Sequence, residues 1–175
     1  MTIRRMTPAL TFATVLSITL GLQAFAQETP EQPAPEPAPA VAATESAGPT
    51  LADLGKDEAF TAAFQKMAEG NQIPEWLSKG AVVTPTQKVS FGGKEYLAMT
   101  GCQQHDCGTN RIAVLYAPDS GTAYGVLAVR DGESSELLTW LGLGGGPETI
   151  DGRTILYAAL TGSLANHPEA FNYPE

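Results

Sequence analysis

The sequence predicts an α+β fold: a five-stranded antiparallel sheet, connected as a meander, with flanking helices in a single domain. Three observations carry this. A segment around residue 60 places its apolar residues at helical spacing. Later runs are short, apolar and rich in β-branched and aromatic residues. Turns containing Gly or Pro-Asp separate those runs by only a few residues.

Taken in order, Asp57 to Glu69 sets Phe60, Ala63, Phe64 and Met67 on one stripe, with Gly70 as a stop, and reads as the leading helix. The stripe is a core face. Pro74-Glu75-Trp76-Leu77 before Gly80 reads as a further turn or two of helix with proline at its start. Lys88–Phe91 and Glu95–Thr100 flank Gly92-Gly93 and predict a hairpin. Arg111–Tyr116 is a strand closed by Pro118-Asp119-Ser120-Gly121, Tyr124–Arg130 another closed by Asp131-Gly132, and Leu137–Leu143 a fifth. Short turns between consecutive strands make the pairing antiparallel. Thr154–Leu160 is apolar throughout, so period does not type it, and its two alanines favour helix. No internal repeat at solenoid periods is present.

Upstream of residue 51 the chain changes character. Residues 1–26 carry Arg4 and Arg5, an apolar run from Ala9 to Leu22 and the small-x-small triplet Ala24-Phe25-Ala26, the order of a secretory signal peptide cleaved after Ala26. The run is shorter than the about 20 residues of a membrane span and is interrupted by hydroxyl residues. Met6-Thr7-Pro8 continues the arginine pair poorly as a twin-arginine signal, and Gln27 offers no cysteine to lipidate. Export to the periplasm, with no membrane contact after cleavage, is the expectation. Gln27 to Thr50 holds six prolines, six alanines and four glutamates in 24 residues and no aromatic residue, so residues 27–50 read as a disordered, extended linker. Residues 51–175 are the folded domain.

Charge narrows the partners. The 175-residue chain has 10 Lys+Arg against 19 Asp+Glu, a net charge of −9. Removal of Arg4 and Arg5 with the signal leaves 8 against 19, or −11. Such a protein repels nucleic acid and anionic membranes and favours a basic partner. No serine lies in a nucleophile frame, and the Gly142–Gly146 run meets Pro147 where a dinucleotide fingerprint needs glycine. Glu133 and Glu136, beside Asp131-Gly132, read as a solvated turn rather than a catalytic pair. The chain reads as a non-enzyme with no cofactor.

The segment that carries chemistry is Gly101-Cys102-Gln103-Gln104-His105-Asp106-Cys107-Gly108, between two strands. In an oxidising compartment the two cysteines favour a disulfide. Closing so small a ring restricts the unfolded chain by only about 2 kcal/mol, so its better use is to stiffen a loop, with glycines at both ends for tight turns. His105 and Asp106 then sit at the tip of a preordered polar knob. A zinc set of Cys102, His105 and Cys107, completed by Asp106 or His167, and a thiol-redox pair are the competing readings; the ligands are cramped, and redox pairs are usually Cys-x-x-Cys at a helix start. By itself His105 is a solvated loop histidine and Asp106 an Asx-turn residue, while His167 more simply fixes the chain after the last helix.

Cys102-Gln103-Gln104-His105-Asp106-Cys107 resembles the CKPHDC signature of the inhibitor of vertebrate lysozyme (Ivy) family. The tail Tyr157 to Pro168, Trp140-Leu141 and Glu95-Tyr96-Leu97 are similar to that family as well, so the resemblance spans about residues 51–173. It implies a five-stranded antiparallel sheet with flanking helices. It also implies a disulfide-closed loop that enters the cleft of c-type lysozyme, where the histidine meets the two catalytic carboxylates. By position His105 is the plug, Asp106 its supporting contact, and Cys102 with Cys107 the bridge. The family's Lys-Pro is Gln103-Gln104 here, which removes one conformational lock and one positive charge. Endogenous lytic transglycosylases are a second target class that the sequence does not separate from lysozyme. No strip marks an oligomer interface, and a homodimer stays open.

Overall fold

The structure is a computed structural model and describes residues 46–146 and 148–173. The signal peptide and most of the linker, residues 27–45, lie outside the described residues. Helix α1 spans Glu58–Met67; its N-cap, Asp57, accepts a hydrogen bond from the Phe60 N–H at 2.9 Å. Phe60, Ala63, Phe64 and Met67 are its buried face, the stripe expected from their spacing. The short helix α2 is Trp76–Gly80.

The sheet has six strands among the described residues: β1 Val82–Val83, β2 Gln87–Phe91, β3 Lys94–Cys102, β4 Asn110–Ala117, β5 Thr122–Asp131 and β6 Ser135–Leu141. Strands β3 to β6 form the antiparallel meander, and both β1 and β2 pair with the free edge of β3, at opposite ends. The sixth strand corrects the expected five. It escapes pattern reading because a two-residue strand has no period. Strand β6 also stops at Leu141, with Gly142 turning at φ 68°, two residues short of the expected end.

Both sheet faces are covered, which is why β4 reads as a nearly unbroken apolar run. Ile112, Val114 and Tyr116 face α1, while Ala113, Leu115 and Ala117 face the second core. That second layer is helix α3, Glu148–Thr161, followed by α4, Ser163–Asn166. Ile155 and Leu156 of α3 are fully buried against Val126 and Ala128. The segment 154–160 is thus helical, as its alanines suggested, but the helix starts earlier. On the α1 side, burial first and the Asp57 charge second raise the Tyr116 phenol above its ordinary pKa.

Composition misassigns residues 46–50. The Ala47 N–H donates to the Thr86 carbonyl at 3.0 Å, and the buried Thr86 hydroxyl donates to the Pro49 carbonyl. The described fold therefore begins before Leu51. Every described residue falls in one compact unit. Among the described residues no helix is long and apolar enough to cross a membrane.

Candidate functional site: the disulfide-closed loop

Strand β3 ends at Cys102 and β4 begins at Asn110, so the cysteine segment is the connection between two central strands. Its base is closed by the last strand pair, Cys102 opposite Arg111, and by the Gln103 N–H donating to the Asn110 carbonyl at 3.0 Å. Cys102 and Cys107 are joined, with Cα atoms 4.8 Å apart. Their sulfurs are bonded to each other, so neither is a thiolate ligand or a free thiol. The zinc reading needed thiolates; a redox pair, by contrast, would be a disulfide in its oxidised form.

Two turns follow in succession, the first within the ring and the second leading out of it to β4. The Asp106 N–H donates to the Gln103 carbonyl at 2.9 Å, and the Asp106 carbonyl accepts from the N–H groups of Thr109 and Asn110, both at 3.0 Å. The Asp106 carboxylate accepts from the Asn110 side-chain amide at 2.8 Å. Asp106 is half-buried and braces the loop from within. His105, by contrast, is exposed, and among the described residues nothing hydrogen-bonds its imidazole. Gln104 beside it is exposed, while Gln103 is half-buried at the base.

The backbone departs from expectation at one place. Gly101 and Gly108 are not in the left-handed region; His105 is, at φ 65°, and it is the only such non-glycine among the described residues. Gly101 has a different reason to be glycine. It sits within β3, where a Cβ would approach Leu51 Cδ1 at 3.0 Å and the Val82 carbonyl oxygen at 3.3 Å.

Neighbouring strands supply groups that the sequence did not nominate. Arg111 donates to the Leu160 carbonyl at 3.1 Å, tying β4 to the end of α3, and pairs with Glu136 on β6. Glu136 is thus a strand residue with an ionic partner, not part of a solvated turn. Arg130, near the end of β5, donates its main-chain N–H to the Thr109 carbonyl at 2.9 Å and its Nε to the Gly108 carbonyl at 3.1 Å. Chain position gave no warning of either arginine, because their acceptors lie about twenty to fifty residues away. His167 ends α4, its N–H donating to the Ser163 carbonyl at 2.9 Å, the chain-fixing place its context suggested.

Comparison with known proteins gives the family. The family model described as inhibitor of vertebrate lysozyme (Ivy) matches residues 59–160, a span that includes the whole loop. The chain belongs to the Ivy family. The inhibitor of vertebrate lysozyme of Escherichia coli K12 is 44% identical over 125 residues, covering 71% of this chain and 79% of that protein. The protein of the same name from Pseudomonas aeruginosa PAO1 is 30% identical over 92 residues, covering 51% and 60%. A Yersinia pestis protein carrying no functional name is 32% identical over 118 residues. Ivy membership accords with the α+β sheet and the disulfide of this chain.

Proposed function

We propose that this Ivy domain inhibits vertebrate c-type lysozyme by occluding its active-site cleft with the Cys102–Cys107 loop, His105 entering first. The observation that carries the reading is the contrast within the loop: every turn is satisfied internally, yet the imidazole at its tip is exposed and has no partner among the described residues. Ordering entropy is lost before binding, and the free ring nitrogens remain to be satisfied by whatever the loop enters.

Lysozyme supplies the matching chemistry. It cleaves its glycan with one carboxyl of raised pKa and a second, ionised carboxylate. An imidazole between them hydrogen-bonds both and leaves no room for sugar. The role is inhibition without turnover. Charge supports the pairing, since vertebrate lysozymes are basic and a chain left with 8 Lys+Arg against 19 Asp+Glu, net −11, once residues 1–26 are removed is steered toward them at low salt. In this reading residues 1–26 direct export to the periplasm and are removed after Ala26, residues 27–45 are a spacer, and Cys102, Gln103, Gln104, His105, Asp106 and Cys107 are the inhibitory loop.

The test is lysis of bacterial cell walls by a c-type lysozyme, titrated with the purified oxidised protein. Wild type should inhibit. His105→Ala should weaken inhibition at least about tenfold, the scale of a central desolvated anchor. His105→Asn should weaken it to the same extent, because asparagine tolerates the left-handed backbone but brings no imidazole. An unchanged inhibition constant in both variants would refute the plug.

A further inference from the structure

We propose that Arg130 is a positioning residue for the inhibitory loop: it holds the arm on which the disulfide ring returns to the sheet, and so aims His105. The inference rests on the inhibitory reading above. The ring from Cys102 to Cys107 is carried by the sheet on two sides. On the Cys102 side the chain runs straight into β3, where Cys102 is paired with Arg111. On the Cys107 side only Gly108 and Thr109 stand between the ring and β4. Gly108 has no side chain, and a Cβ built there would meet nothing within 4 Å, so only the turn bonds from Thr109 and Asn110 to the Asp106 carbonyl hold it from the ring side.

Arg130 grips both residues of that arm. Its main-chain N–H takes the Thr109 carbonyl and its Nε takes the Gly108 carbonyl, which fixes the orientation of the peptide following the glycine. A disulfide keeps a ring small but does not say which way the ring leans. The bonds joining Asn110 to Gln103 and Asp106 tie the ring to the start of β4, and the guanidinium adds a second, lateral constraint from β5; a lean of the ring displaces an imidazole that must reach two carboxylates at once.

Charge gives the idea a sign. A cation at the base of a loop destined for a basic partner opposes long-range attraction, so on electrostatics alone its removal should strengthen binding. Positioning predicts the reverse.

The experiment measures inhibition constants of the full oxidised chain against hen egg-white lysozyme for wild type, His105→Ala, Arg130→Met and the double variant, with melting temperatures as a check on folding. Arg130→Met should weaken inhibition about threefold to tenfold, the worth of one hydrogen bond. In the His105→Ala background the same change should have little further effect, because there is no ring left to aim. Gly108→Ala added to Arg130→Met should recover part of the loss by stiffening the same arm. Unchanged or tighter inhibition by Arg130→Met, an equal loss in both backgrounds, or no recovery with Gly108→Ala would each overturn the inference. If His105→Ala itself leaves inhibition intact, the plug reading falls first; if only the arginine variant is silent, the plug stands and the positioning role does not.

Discussion

Strand β3 ends in two turns of opposite design. At one end the β2–β3 hairpin turns through Gly92 and Gly93, at φ 54° and 64°, with open space around Gly92 and no cross-link. At the other, the β3–β4 connection places the same left-handed conformation on His105, at φ 65°, inside a disulfide ring braced by Asn110 and Arg130. A left-handed backbone costs a residue with a Cβ about 1 kcal/mol, and glycine almost nothing. Where the chain needs only to reverse, the cheap residue stands. Where a histidine occupies the same conformation, the surroundings must over-determine it, and such outliers concentrate at sites that act.

Removing the bridge should have the largest effect on this contrast. Cys102→Ser with Cys107→Ser should lower unfolding free energy by about 2 kcal/mol through loop closure alone. It should also weaken lysozyme inhibition at least about tenfold, since the loop then orders at binding rather than before it. Denaturant titration and the lysis assay read the two effects separately. Intact inhibition after loss of the bridge would make the β3–β4 turn no different from the hairpin.

Exchanging the residues sharpens the same comparison. His105→Gly should raise stability by up to about 1 kcal/mol, because the strained Cβ is gone, while inhibition falls as far as in His105→Ala. Gly92→Ala should lower stability by about 1 kcal/mol and leave inhibition unchanged. A Cβ at Gly92 meets no atom within 4 Å, so the cost there is backbone strain alone. The two substitutions thus move stability in opposite directions, and only one touches function. A stability loss in His105→Gly would mean that the imidazole packs rather than projects.

Legibility in the sequence followed distance along the chain. The stripe of α1, the two-glycine hairpin and the covered strand β4 all rest on residues that are neighbours in sequence, and pattern finds them. The disulfide and the exposed tip were legible for the same reason, six residues apart at most. The left-handed residue was not: glycines 101 and 108 attracted that role by type, although the chain turns at His105. Strand β1 was too short to show a period, and α3 hides its start behind the Gly144–Gly146 run and its own Gly152. The pairing of Arg111 with Glu136, the Leu160 contact and the Arg130 brace join residues from four different elements, and no local rule connects them. The anchoring of residues 46–50 by Thr86 is invisible to composition for the same cause.

The smallest expected effect lies far from both turns and serves as their control. Thr50 caps the short turn Leu51–Asp53; its main-chain N–H donates to the Asp53 carboxylate at 2.9 Å and its hydroxyl at 3.0 Å. These two bonds, the main-chain one foremost, hold the Asp53 carboxyl below its ordinary pKa, with Lys56 adding a weaker pull. A carboxyl that ionises at lower pH when folded stabilises the fold at pH values above its unfolded pKa, about 3.9, and loses that contribution as pH falls through the folded value. Asp53→Asn should therefore be less stable than wild type near neutrality. The difference should shrink as the pH drops below about 4, where wild type protonates too. Urea titrations across that range measure it, and inhibition at neutral pH should not change, since Asp53 braces the start of the fold and not the loop. A stability difference that persists undiminished in acid would assign the effect to lost hydrogen-bond geometry rather than to ionisation.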